Sequence, residues 1–141
     1  MKAKEYLSQI PNIHTKIQNK KERVERLRCI LESPGVQSLS DDRVQTSIST
    51  DKMERMIAEK ARLEDELQSL MYEEAVLIIR IGKQIDEMEN PTYSRILHLR
   101  YEENMQFIDI SRMIGQTHKY TCNLHGKALD DFSKMYLEQR R

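Results

Sequence analysis

Residues Ile110 to Leu129 read ISRMIGQTHKYTCNLHGKAL. The stretch divides into a short apolar helix, a tight turn at Gly115 and a second helix, the order of a helix-turn-helix. Between Asp109 and Asp130 there is no acidic residue. In a chain whose 23 acidic residues balance 23 Lys and Arg, that gap is local. Arg112, His118, Lys119, His125 and Lys127 are left without acids close in sequence. A helix that enters the DNA major groove must not carry carboxylates towards phosphate. The segment is therefore expected to face DNA.

The sequence on either side fits a small helical module. Asn90-Pro91 supplies a capping side chain followed by Pro at a first helical position. Tyr93, Ile96, Leu97 and Leu99 give that helix an apolar side, and Glu102, Glu103 and Asn104 break it. Phe107, Ile108, Ile110, Met113 and Ile114 are expected on the inner face of the next helix. Thr117 caps the last one, which is expected to run through Phe132 to Tyr136 with Leu124, Ala128, Leu129 and Phe132 inward.

Further towards the N-terminus the apolar period becomes a heptad. Ala3, Ile10, Ile17, Val24 and Leu31 fall seven apart, and Tyr6, Ile13, Lys20 and Leu27 form a second register, the seam of a helix that packs on another helix. Lys20 interrupts the seam and is expected to snorkel out of it. Pro11 either kinks this helix or marks its first turn. Residues 33–50, SPGVQSLSDDRVQTSIST, read as a linker opened by Pro34-Gly35. A second long helix follows, from Thr50-Asp51 to about Glu89. Its apolar stripe includes Met53, Ile57, Leu63, Leu67, Leu70, Met71, Leu77, Ile78, Ile81, Ile85 and Met88, wide enough for more than one neighbour. The two long helices fold back as an antiparallel hairpin, or pair in a dimeric bundle along the same stripe.

Composition removes other classes. The 141 residues are 38% hydrophobic and 33% charged, with no Trp, two Phe and four Gly, as in long helices with solvated flanks. Net charge is zero, so a DNA footprint must be a patch. The run Lys16 to Arg28 is interleaved by Glu22 and Glu25 and reads as a solvated face. The longest apolar run, Ala75 to Ile79, is far too short for a bilayer, and Cys29 and Cys122 lack CxxC spacing, so a reduced, cytoplasmic location is expected. His118, Cys122 and His125 lie at i, i+4 and i+7, but three ligands from one helix with no second cluster do not make a zinc site. There is no Gly-rich phosphate loop, nucleophile elbow or evident carboxylate pair, so neither an enzyme nor a cofactor or metal is expected.

The segment Arg95-Ile-Leu-His-Leu-Arg-Tyr101, followed by Ile110-Ser-Arg-Met-Ile-Gly115 and Lys127-Ala-Leu129, resembles region 4 of bacterial RNA polymerase sigma factors over about residues 91–136. With Ala3-Lys-Glu-Tyr-Leu7 and Leu124-His-Gly126, the full chain is similar to a family of small phage-encoded proteins regarded as regulators of phage transcription. Ser111 stands where the pattern usually has Ala, Thr121 where it has an apolar residue, and Gly126 interrupts the second helix. No core-binding region that melts promoters has an equivalent. Carried over by position, the resemblance starts a recognition helix near Thr117. It puts His118, Lys119 and Tyr120 on the first turn and Cys122 and Asn123 on the exposed side. Asn123 suits adenine, Lys119 guanine or phosphate, and Arg112 and Lys127 phosphate.

The expected fold is all-α, a long helical hairpin over 1–89 followed by a three-helix helix-turn-helix module over 90–141. The expected function is sequence-specific binding of double-stranded DNA to regulate phage transcription. The N-terminal helices would mediate a homodimer or recruit RNA polymerase. Neither a membrane nor a small-molecule substrate is expected. The alternatives are a packaging protein resembling a small terminase subunit, which a ring of many subunits would favour, and a coiled-coil interaction module that binds no DNA.

Overall fold

The computed structural model describes residues 1–33 and 50–138, and residues 34–49 of the expected linker lie outside that range. The described chain is helical, with no strand. Its elements are α1 (Ala3–Leu7), α2 (Gln9–Leu31), α3 (Thr50–Asp86), α4 (Pro91–Leu97), α5 (Phe107–Ile114) and α6 (His118–Phe132). Wide π turns prolong α4 over His98–Glu102 and α6 over Ser133–Leu137, closed by Glu103 N–H to His98 O at 3.1 Å and Glu138 N–H to Ser133 O at 2.9 Å.

Local chemistry accounts for most helix ends. Pro11 has no N–H for the Leu7 carbonyl, and its ring crowds that group. The helix accordingly breaks at Ser8, and Pro11 sits in the first turn of α2, where Asn12 N–H restarts the ladder on Ser8 O at 3.0 Å. Asn90 Oδ1 accepts from Thr92 N–H at 2.9 Å and Tyr93 N–H at 3.4 Å, and Pro91 opens α4. Helix α3 stops at Asp86, short of the expected Glu89. There Ser94 Oγ donates to the Ile85 carbonyl at 2.9 Å, and Met88 turns back into the core at 6% exposure.

The described residues fall into two compact units, one of Met1–His14 with Glu73–Arg141 and one of Thr15–Tyr72. This division differs from the 1–89 and 90–141 expected from the linker and the Asn-Pro cap. The reason is the first unit's core. Ala3, Tyr6, Leu7, Ile10, Ile81, Ile85 and Met88 share it with Ile96, Leu97, Leu99, Tyr101, Ile110, Leu124, Ala128 and Phe132. Polar ties reinforce it, with Tyr6 Oη donating to Gln84 Oε1 at 2.7 Å and Tyr136 Oη to Gln84 O at 2.6 Å.

In the second unit Ile17 and Leu63 are the buried apolar residues among those described, while Val24, Leu27, Leu67 and Leu70 are half-buried. Lys20 leaves its seam position and puts Nζ 2.7 Å from Glu66 Oε2. No helix among the described residues is long and apolar enough to cross a membrane.

Candidate nucleic-acid interface

Helix α5 ends at Gly115, whose φ of +70° is the left-handed conformation that glycine adopts at least cost. Gly115 N–H reaches Arg112 O and Gln116 N–H reaches Ser111 O at 2.9 Å, so the last carbonyls of α5 are used. Two residues later Thr117 Oγ1 accepts from Tyr120 N–H at 3.1 Å and caps α6. Thr121 is fully buried and donates its hydroxyl to Thr117 O at 2.8 Å, so its polar group is satisfied where an apolar residue was expected. Ser111, also buried, donates to Ile108 O at 2.7 Å.

Helical periodicity then decides what α6 shows to solvent. Thr121, Leu124, Ala128 and Phe132 point inward. Lys119, Tyr120, Asn123, Gly126 and Lys127 form one exposed face, with Tyr120 half in solvent. A Cβ added at Gly126 would meet nothing within 4 Å, so the helix backbone itself is open there. The acid-free surface ends at the exposed Asp130.

The remaining expected site residues are placed less directly. Arg112 is exposed on α5, with its guanidinium 3.9 Å from Asp109 Oδ1, a loose pair that leaves the cation accessible. Thr117 acts through the backbone as a cap. His118 is exposed beside the half-buried Cys122, whose Sγ lies 3.8 and 3.9 Å from the two ring nitrogens.

His125 does not join them. It is 9% exposed, and its Nε2 lies 2.8 Å from Tyr101 Oη. Its ring stacks on Tyr101 at 5.7 Å and meets the edge of Phe107 at 4.8 Å. Burial, with repulsion from Arg100 and Lys4, lowers its pKa to about 4, and burial raises that of Tyr101 to about 12. The ring is neutral at pH 7 and serves the core. The His118–Cys122–His125 face of the sequence reading therefore does not exist, and no group of three metal-ligating side chains occurs among the described residues. The signal was present. Thr121, His125, Ala128 and Phe132 step by four, three and four, which puts His125 on the inward stripe.

Two further expectations are corrected on α5. Ile108 and Met113 are 47% and 56% exposed rather than inward, because eight residues of helix bury a narrow face centred on Ile110. Arg100 was not singled out from the sequence. Its guanidinium lies 4.3 Å from the Phe107 ring centroid and donates to Met105 O at 2.9 Å, tying the π turn to the start of α5. Between them Asn104 takes a φ of +55°, a conformation that Asn tolerates better than most residues. Comparison with family models, curated proteins and solved structures returned no match.

Proposed function

We propose that this protein binds double-stranded DNA in a sequence-specific way and regulates transcription, with α6 as recognition helix. In this reading α5, the Gly115 turn and α6 are a helix-turn-helix, and α2 with α3 forms a hairpin that sets assembly or recruits RNA polymerase. One observation carries it, the exposed, acid-free face of Lys119, Tyr120, Asn123, Gly126 and Lys127 on a helix that follows a left-handed glycine turn. Asn123 reads a base edge, Lys119 contacts guanine or phosphate, and Arg112 and Lys127 hold phosphates, supported by His118 and Tyr120 on the first turn. The resemblance of residues 91–136 to sigma region 4 supports the regulatory role, and the similarity of the full chain to small phage-encoded regulators supports the phage setting.

Selection of bound duplexes from a randomised library, followed by titration at several salt concentrations, tests the proposal. Asn123→Ala is expected to cost about 1–3 kcal/mol at one base position and to relax specificity there. Arg112→Ala or Lys127→Ala should weaken binding to all sequences alike and reduce the salt slope by about one unit. An unchanged ratio of specific to non-specific binding in Asn123→Ala refutes the placement of the recognition surface. Absence of DNA binding at low salt refutes the function and leaves an interaction module.

A further inference from the structure

Helix α1 belongs to the same compact unit as α6. Ala3, Tyr6 and Leu7 are buried in the core that also takes Leu124, Ala128 and Phe132, and the Tyr6 and Phe132 rings lie 5.8 Å apart. That packing fixes which way the charged residues of α1 turn. Lys4 and Glu5 are both exposed. Along the helix Lys4 stands about 60° from the buried Leu7, whereas Glu5 stands about 160° from it. The ammonium therefore flanks the packed face and the carboxylate points away from it.

Lys4 meets a second cation beside α6. Its charge is near enough to His125 to oppose protonation of that ring, and so is the charge of Arg100. Arg100 is held there by stacking, its guanidinium 4.3 Å from the Phe107 ring centroid and Phe107 in turn 4.8 Å from His125. Neither cation has a carboxylate partner among the described residues; Arg100 donates to the Met105 carbonyl. Like charges gathered without a counter-charge repel one another, and an anion between them removes that cost.

The same edge of α6 runs into the candidate interface. His118 lies seven residues before His125, two turns earlier on the same side, and is exposed. Gly126, next to His125, has open space where a Cβ would stand. A glycine in mid-helix costs stability and lets the backbone of a ligand come close.

We propose that Lys4 carries the DNA interface onto α1, its ammonium contacting a phosphate of the duplex beside α6, along the edge lined by His118, Gly126 and Arg100. This rests on the reading of α6 as recognition helix and adds to it a contact from outside the helix-turn-helix. A backbone phosphate is the fitting anion, because a lysine ammonium is a point charge on a flexible stem and phosphate contacts position without reading sequence.

The test is binding of the full chain to its selected duplex and to a scrambled duplex of equal length, each titrated across a range of salt concentrations. One phosphate contact contributes about 0.9 to the slope of log K against log salt, so Lys4→Ala should flatten the slope by about that much and weaken both complexes about eightfold at about 0.1 M salt. Lys4→Arg should keep the native slope. Glu5→Gln changes the net charge by one unit on the other side of α1 and should leave the slope unchanged. Circular dichroism should show native helicity throughout, since Lys4 is exposed, and Lys4→Gln carries the same expectation should the alanine variant lose it. A native slope in Lys4→Ala overturns the proposal while the recognition-helix reading stands. So does a loss confined to the selected duplex, which makes Lys4 a base contact, or an equal change in Glu5→Gln, which reduces the effect to net charge. A native chain that binds neither duplex overturns the recognition-helix reading, and this proposal with it.

Discussion

Phe132 in the first unit and Leu67 in the second are both apolar residues on the inner stripe of an amphipathic helix, yet they are held in different ways. Phe132 is fully buried, with ring neighbours Tyr6 at 5.8 Å and Tyr136 at 4.8 Å, in a core assembled from both ends of the described chain. Leu67 is half-buried on α3, with exposed Asp65, Gln68 and Ser69 beside it in sequence. The second unit also carries ion pairs, Lys20 with Glu66, Lys60 with Glu64, Arg28 with Glu25 and Glu32, and Arg62 with Glu59 and Glu66. Close-packed apolar contact is costly to disrupt, whereas exposed ion pairs contribute little and are screened by salt. Stability is therefore expected to concentrate in the unit that carries the candidate recognition helix.

The sharpest way to break that comparison is a pair of truncations. Phe132→Ala should cost about 3–5 kcal/mol in urea unfolding, against about 1 kcal/mol for Leu67→Ala. Equal losses would mean that the two units are supported alike.

Acid should act next, and on the first unit. His125 Nε2 is hydrogen-bonded with the Tyr101 hydroxyl, and burial holds its pKa below the ordinary 6.5, at about 4. Below pH 6.5 the unfolded chain binds a proton that the folded chain refuses, so stability falls as pH drops from about 6.5 towards 4. A loss of about 1–2 kcal/mol between pH 7 and pH 5 is expected, and His125→Gln should abolish that slope. In the second unit the partners Arg28, Arg62 and Lys20 hold the carboxyls of Glu25, Glu59 and Glu66 below their ordinary value. Their contribution is present above pH 4.5 and is lost only as pH falls below it. A transition in the second unit centred near pH 6 would contradict this separation.

Two glycines near the candidate interface should respond with opposite signs. Gly115→Ala places a side chain at φ +70° and should destabilise by about 1 kcal/mol. Gly126→Ala meets open space in an α-helix and should stabilise by about 0.5–1 kcal/mol. Thermal unfolding of the two variants checks both. The smallest effect is expected from Lys20→Ala, a barely measurable loss that disappears at high salt, because the partner carboxylate is solvated.

The elements that were legible in the sequence are those set by neighbouring residues. Asn90-Pro91, Gly115 and Thr117 each meet a backbone donor or a special φ within a few positions, so the starts of α4 and α6 and the end of α5 could be placed. The inward face of α6 followed from the spacing of Leu124, Ala128 and Phe132. His125 shares that spacing, but its polar ring suggested the surface. Only the proximity of the Tyr101 hydroxyl, distant in sequence, lets a histidine be buried there at acceptable cost. Exposure of Lys119, Asn123 and Lys127 was expected and found, whereas Cys122 is half-buried and Ile108 and Met113 point outward.

The all-helical character of this protein was determined by its sequence, because propensity, caps and the apolar period act within a few residues of chain. Tertiary structure decided what each apolar face meets. Residues 1–14 joined the core of residues 73–138, Leu7 and Phe132 being buried together, because burial is settled by neighbours in space and not by order along the chain. The same selection turned His125 into a core residue and left Tyr72, Val76 and Ile79 of α3 uncovered.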